Sequence, residues 1–250
     1  MRTMPDWLIL LCRLVLIIGI PVVLTLTNVR LLMTYTFPEL VYNAPNMTAD
    51  FYGFTKADRL HWSKKSIDYI LSDPRAGAIE AWKFSEAGRA PVGTTAPAPE
   101  TCADYGEQYG PRDCTYFYND REVRHMRDVR NITAVTLNVW RLMSVLSLLA
   151  MGAFYYCREL TAFRWALLTG SAVTAIVLIG LVLFVLVGFN TLFTLFHQVF
   201  FQSGTWTFYW SDSLIRLFPL PLWFNAFLFV GLATLAEAGL IAAAAGWGMK

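Results

Sequence analysis

From Trp165 to Ser211 the chain runs 47 residues without an Asp, Glu, Lys or Arg. Soluble domains carry roughly a quarter charged residues, so no water-facing fold accommodates a gap of that length. Three shorter gaps accompany it: 14–29 and 142–157 with 16 residues each, and 217–236 with 20. A bilayer core needs about 20 apolar residues per helix. The first gap reaches that length if it takes in Trp7 and Arg13 snorkels to the interface. The second reaches it by starting near Thr136, with Trp140 and Arg141 at headgroup level. The longest gap is too long for one span and short for two, so it reads as one span followed by an aromatic interfacial segment.

The fold expected is an α-helical integral membrane protein with four transmembrane helices and an extracytoplasmic domain inserted between the first and second. The spans fall at about 7–29, 132–156, 166–190 and 221–246. Residues 34–131 form the inserted domain, 157–165 a cytoplasmic turn and 191–220 the interfacial segment. Large loops cross regardless of charge, so orientation is read from short segments. The turn carries Arg158 and Arg164, the N-terminus Arg2 and Arg13, and the C-terminus Lys250. Those three regions are expected in the cytoplasm of a bacterial cell membrane, with 34–131 outside. A net charge of +2 gives no footprint for nucleic acid.

The cysteines fit this orientation. Cys102 and Cys114 lie in the external part, where oxidising conditions permit a disulfide across a small loop. No metal-ligand spacing accompanies them. In the same domain, Thr55 and Asp58 can box the start of a helix, as can Asn119 and Glu122. The first helix presents Leu60, Ile67, Ile70 and Leu71 at helical spacing and stops at Asp73-Pro74. Residues 87–101, rich in Ala, Gly, Pro and Thr, read as a loop. After Asn119 no Pro or Gly occurs before Gly152, which predicts one helix from about Asp120 to Tyr156, roughly 55 Å long.

The chain has three histidines. His61 sits on the external amphipathic helix and suits surface or packing duty. His125 precedes the second span and His197 follows the third. Spans joined by a short turn pack antiparallel, so the outer ends bring these two imidazoles together. His197 lies in the run Phe193-Thr194-Leu195-Phe196-His197-Gln198-Val199-Phe200-Phe201, with Trp206, Phe208, Tyr209 and Trp210 following. Such surroundings desolvate an imidazole and favour its neutral form, which can act as a general base. Asp128, one turn beyond His125, can orient it, or can simply pair with Arg124, Arg127 or Arg121. Interfacial Trp and Tyr also have an ordinary role at headgroup level. Arg141 is a headgroup contact or an intramembrane functional ion. No phosphate loop, nucleophile elbow, zinc motif or Cys-x-x-Cys is present.

His125-Met126-Arg127-Asp128-Val129 is similar to a His-Leu/Met-x-Asp-Val motif of a four-span bacterial membrane family that includes the lipoprotein intramolecular transacylases. Phe196-His197-Gln198-Val199-Phe200-Phe201 resembles its second motif, as do Trp206, Asp212-Ser213-Leu214-Ile215 and Phe218-Pro219. Tyr52-Gly53-Phe54-Thr55 with Arg59 is similar to a weaker segment after the first span. The stretch around Cys102 and Cys114 looks like an insertion relative to compact members.

This resemblance implies an enzyme without cofactor or metal. It would act on diacylated lipoproteins held by their acyl chains in outer-leaflet lipid, moving the sn-2 acyl chain of the diacylglyceryl-cysteine to the cysteine α-amine. His125 and His197 would be catalytic, with Asp128, Gln198, Trp206, Asp212 and Arg141 in support. The transition-state oxyanion needs a donor, and a protonated imidazole or backbone amides near the Gln198–Gly204 turn are candidates. Two other readings stand beside it: a non-enzymatic membrane protein whose external domain binds an envelope partner, and another lipid-modifying enzyme using the same histidines.

Overall fold

The computed structural model describes residues 4–51, 54–83, 116–210 and 212–247. These residues are helical: α1 (Asp6–Leu32), α2 (Thr36–Val41), α3 (Lys56–Ile70), α4 (Asp120–Tyr156), α5 (Leu160–Phe200), α6 (Ser213–Leu217) and α7 (Leu220–Trp247). Single 3-10 turns follow α3 at Pro74–Ala76 and Ile79–Ala81. Among the described residues, α1, α4, α5 and α7 are long and apolar enough to cross a membrane. The protein is therefore a helical membrane protein with four candidate spans. The pairing expected of Cys102 and Cys114 and the loop at 87–101 lie outside the described residues.

Contacts divide the chain into two units. The first holds α1 to Leu31, α4 from Val135, α5 to Phe189 and α7 from Ala226; these stretches are taken below as the membrane-spanning segments. Its outward side chains are apolar, with Ile176, Val187 and Leu240 at 73, 89 and 72% exposure. A surface of this kind suits lipid, where the helix satisfies every backbone amide internally. Inside, Leu16, Ala150, Phe154, Ala162 and Ala166 pack together. Small residues bring the backbones close: a Cβ at Gly170 would stand 2.6 Å from Ile20 Cδ1 and 3.2 Å from the Leu16 carbonyl oxygen. One polar cluster interrupts the apolar interior. Asn28 Nδ2 donates to Thr234 Oγ1 at 3.1 Å and to Glu237 Oε2 at 2.9 Å. The α4–α5 turn closes with Arg158 at φ 60°, the Arg158 amide donating to the Tyr155 carbonyl and the Glu159 amide to that of Phe154, a left-handed helix terminus of the Schellman type.

The second unit comprises 32–134 and 190–225. Both expected capping boxes form. Thr55 accepts from the Asp58 amide while Asp58 accepts from the Thr55 amide, and Asn119 and Glu122 do the same. The helix begun by the second box runs from Asp120 to Tyr156 as one element. α3 differs from its expected stripe: Ile67 is buried, but Leu60, Ile70 and Leu71 are only half-buried. Its buried face is made by Trp62, Ser63, Ser66 and Tyr69. The reason is an aromatic core: Trp62 stacks on Phe117 with ring centres 3.8 Å apart. Small Ser66 also lets Tyr118 approach, its hydroxyl 2.9 Å from Ser66 Oγ.

α5 also departs from expectation. The helix does not stop near 190 but leaves helical geometry at Gly188 (φ −141°, ψ 40°) and continues to Phe200. No Pro or charge follows to end it, so the last turns remain helical and carry His197.

Asp50 anchors the second unit electrostatically. Its carboxylate, 4% exposed, accepts from Arg216 Nη2 at 3.0 Å and Nε at 3.2 Å, and from the Phe54 amide at 2.7 Å. Arg59 Nη2 stands 3.8 Å away and Arg59 Nη1 donates to the Thr48 carbonyl. Arg216 also lies over the Phe54 ring.

Two stability outcomes follow from these contacts. Gly170→Ala should lower stability by about 1–3 kcal/mol through overpacking, read as a lower thermal midpoint in detergent. An unchanged midpoint would mean that α1 and α5 separate freely. Asp50→Ala should cost about 3–5 kcal/mol, because it strands two buried guanidinium groups. Retention of the wild-type midpoint would refute that dependence.

Candidate active site

The site grows from the first turn of α4. Asn119 Oδ1 accepts from the amides of Arg121 and Glu122 at 3.1 and 3.0 Å. Glu122 Oε2 accepts from the Asn119 amide at 2.8 Å, and its other oxygen accepts from the Leu214 amide at 2.7 Å. One buried carboxylate thus caps α4 and ties it to α6. Asp212 makes a second tie. It accepts from Asn119 Nδ2 at 3.1 Å and from the Tyr209 amide at 2.9 Å, and lies 3.6 Å from Arg121 Nη2. Burial raises the pKa of both carboxyls, and the charge of Asp212 raises that of Glu122 further.

One turn beyond Glu122, His125 comes inward with 6% exposure. His197, in the last turn of α5, has 9%. Their ring centres are 6.1 Å apart and the planes differ by 19°. Aromatic rings enclose the pair. Phe201 is 4.7 Å from His125 and 5.3 Å from His197. Phe208 is 5.2 Å from His125, and Phe193 and Trp206 are 4.2 and 5.0 Å from His197. Both histidines lie outside the spanning segments defined above. Burial lowers the pKa of each below that of free histidine, and at His125 the neighbouring imidazole lowers it further. Both rings are thus set to be neutral near physiological pH.

Hydrogen bonding then fixes a tautomer. His197 Nδ1 lies 2.7 Å from the Phe193 carbonyl oxygen. A carbonyl only accepts, so Nδ1 carries the proton and Nε2 keeps a free lone pair. Two further polar atoms in the cluster are buried without any hydrogen-bond partner: His125 Nδ1 and Trp206 Nε1. The arrangement can take a proton at His197 Nε2, pass protons between two rings, and offer one indole N–H to an acceptor.

The remaining residues named from the sequence divide clearly. Trp206 joins the cluster, and Asp212 braces its scaffold. Asp128 lies one turn from His125 but does not bond its Nδ1, which has no partner. Gln198 is exposed. Arg141 lies in a spanning segment and donates to Asn138 Oδ1, outside the second unit that holds the site. Sequence reasoning took Glu122 only as a cap and did not assign Phe201 or Phe208 to the site. The aromatic run around His197 was the signal for those rings; nothing local signals the contact between Glu122 and Leu214. Among the described residues no three His, Cys, Asp or Glu side chains form a group that could hold a metal ion.

Comparison with known proteins agrees with this architecture. In the solved structures, the lipoprotein intramolecular transacylase Lit from Bacillus cereus matches with a TM-score of 0.60 at 17% identity, covering 97% of this chain and 96% of that one. At that identity the likeness concerns the fold. An uncharacterized protein of Aquifex aeolicus is 24% identical over 222 residues, covering 89% of this chain and 87% of its own. The family model for lipoprotein intramolecular transacylase Lit matches residues 8–223. With that match spanning most of its length, the chain belongs to the Lit family of membrane-integral lipoprotein intramolecular transacylases.

Proposed function

We propose that this protein transfers the sn-2 acyl chain of a diacylglyceryl-cysteine lipoprotein to the α-amine of the same cysteine, giving the lyso form. The observation that carries the reading is the pair of buried imidazoles, 6.1 Å apart, one with its base nitrogen left free. Amine and ester belong to one molecule, so the enzyme's task is to hold them in attack geometry and manage protons. Two solvent-exposed interfacial histidines would need neither the aromatic enclosure nor the fixed tautomer.

In this reading the amine nitrogen attacks the ester carbonyl carbon. Its proton goes to His197 Nε2 as the N–C bond forms. Collapse of the tetrahedral intermediate breaks the bond to the glyceryl oxygen. The proton then reaches that oxygen through His125, which accepts on one ring nitrogen as it donates from the other. The products are an amide and a free hydroxyl, and no oxidant or reductant enters. Asp212 and Glu122 act on the scaffold and touch no reacting atom. The second unit faces the extracytoplasmic side, where lipid-anchored substrates lie in the outer leaflet, and both termini face the cytoplasm.

The test is expression in a bacterial host whose lipoproteins are diacylated, with mass spectrometry of the N-terminal lipopeptide. Wild type should convert them to the lyso form. Unchanged lipoprotein, with the protein present in the membrane, would overturn the reading. His125→Ala and His197→Ala should each lower conversion by about 10²-fold or more. The double variant should be little worse than either single one, as expected when two groups act as a unit. Independent, multiplying losses would instead mean that the histidines do not share a proton path.

A further inference from the structure

We infer that Trp206 forms the oxyanion site of this reaction, its indole N–H donating to the ester carbonyl oxygen as negative charge develops there; the inference rests on the acyl-transfer reading above.

Indole nitrogen is a donor only. Leaving such a group buried and unpaired is destabilising, and native interiors rarely do so. Trp206 Nε1 is buried without an acceptor, yet its ring lies 5.0 Å from that of His197. The same ring cluster holds the second unpartnered atom, His125 Nδ1. Two orphaned polar atoms among the enclosing aromatic rings mark the place for a polar ligand group. An ester carbonyl supplies the acceptor that the indole lacks.

The ring is held there by the chain's own turn. Phe201 closes the helix end with its amide on the His197 carbonyl. Thr205 then folds the chain back, its amide and hydroxyl both donating to the Gln202 carbonyl, with Gly204 at φ 82°. Only a residue tolerant of positive φ fits that position, which favours Gly. Asp212 accepts from the Tyr209 amide and pins the far end of the segment. Trp206 thereby returns to His197 from nine residues downstream.

The other donors fare worse. The amides of Phe201 and Thr205 are already bonded. Gln202, Ser203 and Gly204 are exposed. The imidazolium formed at His197 holds the amine proton on its way to the glyceryl oxygen, so that N–H is committed to the proton path. An indole N–H carries no net charge, so it sits buried among the aromatic rings without a desolvation penalty of ionic size. Its bond strengthens when the carbonyl π pair moves onto oxygen as the amine nitrogen adds. It relaxes when that pair re-forms the C=O bond and expels the glyceryl oxygen. An interaction stronger in the transition state than in the bound ester raises kcat and leaves KM alone.

The experiment uses the full protein in detergent with a synthetic diacylglyceryl-cysteine lipopeptide. Trp206→Phe removes the donor, and β-(3-benzothienyl)alanine at position 206 removes it while keeping the shape of the bicyclic ring. Both should lower kcat by about 10²–10³-fold, the effect of losing one oxyanion donor, with KM within a few-fold of wild type. The thermal midpoint of the isosteric variant should match wild type. An isosteric variant with wild-type kcat, or one altered in KM alone, overturns the donor role while acyl transfer stands. A wild-type protein that leaves the lipopeptide unchanged overturns acyl transfer and this inference with it.

Discussion

Backbone amides inside hydrocarbon must be paired within their own segment, and a helix does this without help from neighbours. The candidate site depends on two spans, α4 and α5, that overrun that requirement. α4 begins fifteen residues before its spanning segment opens at Val135, and α5 continues eleven residues past Phe189. Because the overruns stay helical, they are rigid enough to hold side chains at fixed angles. His125 and His197 sit on these extensions, where side-chain placement is set by helical register and not by a loop.

Rigid extensions still need to be held in register with each other, and buried carboxylates do this. Glu122 receives backbone amides from both sides, Asn119 and Leu214, 92 residues from itself in the second case. Asp212 closes the same junction through Asn119 and Tyr209. An unpaired buried carboxylate would be strongly unfavourable, so each one over-determines its partners: if the segment after α5 shifted, Glu122 would lose the Leu214 N–H donor in a place water does not reach. The aromatic cage around the histidines inherits its geometry from these bonds, since Phe201, Trp206 and Phe208 lie on the segment they pin.

Local rules made much of this legible. The charge gaps predict four spanning helices, and two capping boxes predict the starts of α3 and α4, because each signal is carried within a few residues. The meeting of His125 and His197 was legible too, from antiparallel spans. What failed was whatever depended on partners distant in sequence. The buried face of α3 differs from its apolar stripe because Phe117 and Tyr118 decide it, which a periodicity count cannot see. Asp128 was one turn from His125 on paper, but a shared helix face permits contact without requiring it. α5 runs past its expected end to Phe200, which the sequence does not show because an aromatic run at an interface looks the same whether it is helical or not. Glu122 was understood as a cap, which it is; its second oxygen answers to Leu214, and no local pattern encodes that.

The low charge of the chain also bears on the reaction itself. A free amine and an ester in water react slowly, partly because the developing oxyanion and ammonium are each solvated at a cost in reorganisation. In the proposed reaction the groups that would face them are neutral: an imidazole whose Nδ1–H is held by the Phe193 carbonyl, a second imidazole, and an indole. Neutral groups tolerate burial in an apolar cage where ionic ones would demand counter-ions. Proton transfer between them and the substrate creates charge only transiently, inside a region of low polarity where oriented dipoles act at close range. Aromatic enclosure and a histidine pair are therefore one solution. In the proposed reaction the aromatic enclosure favours the neutral form of both imidazoles, and the two rings are the proton path between the amine and the glyceryl oxygen.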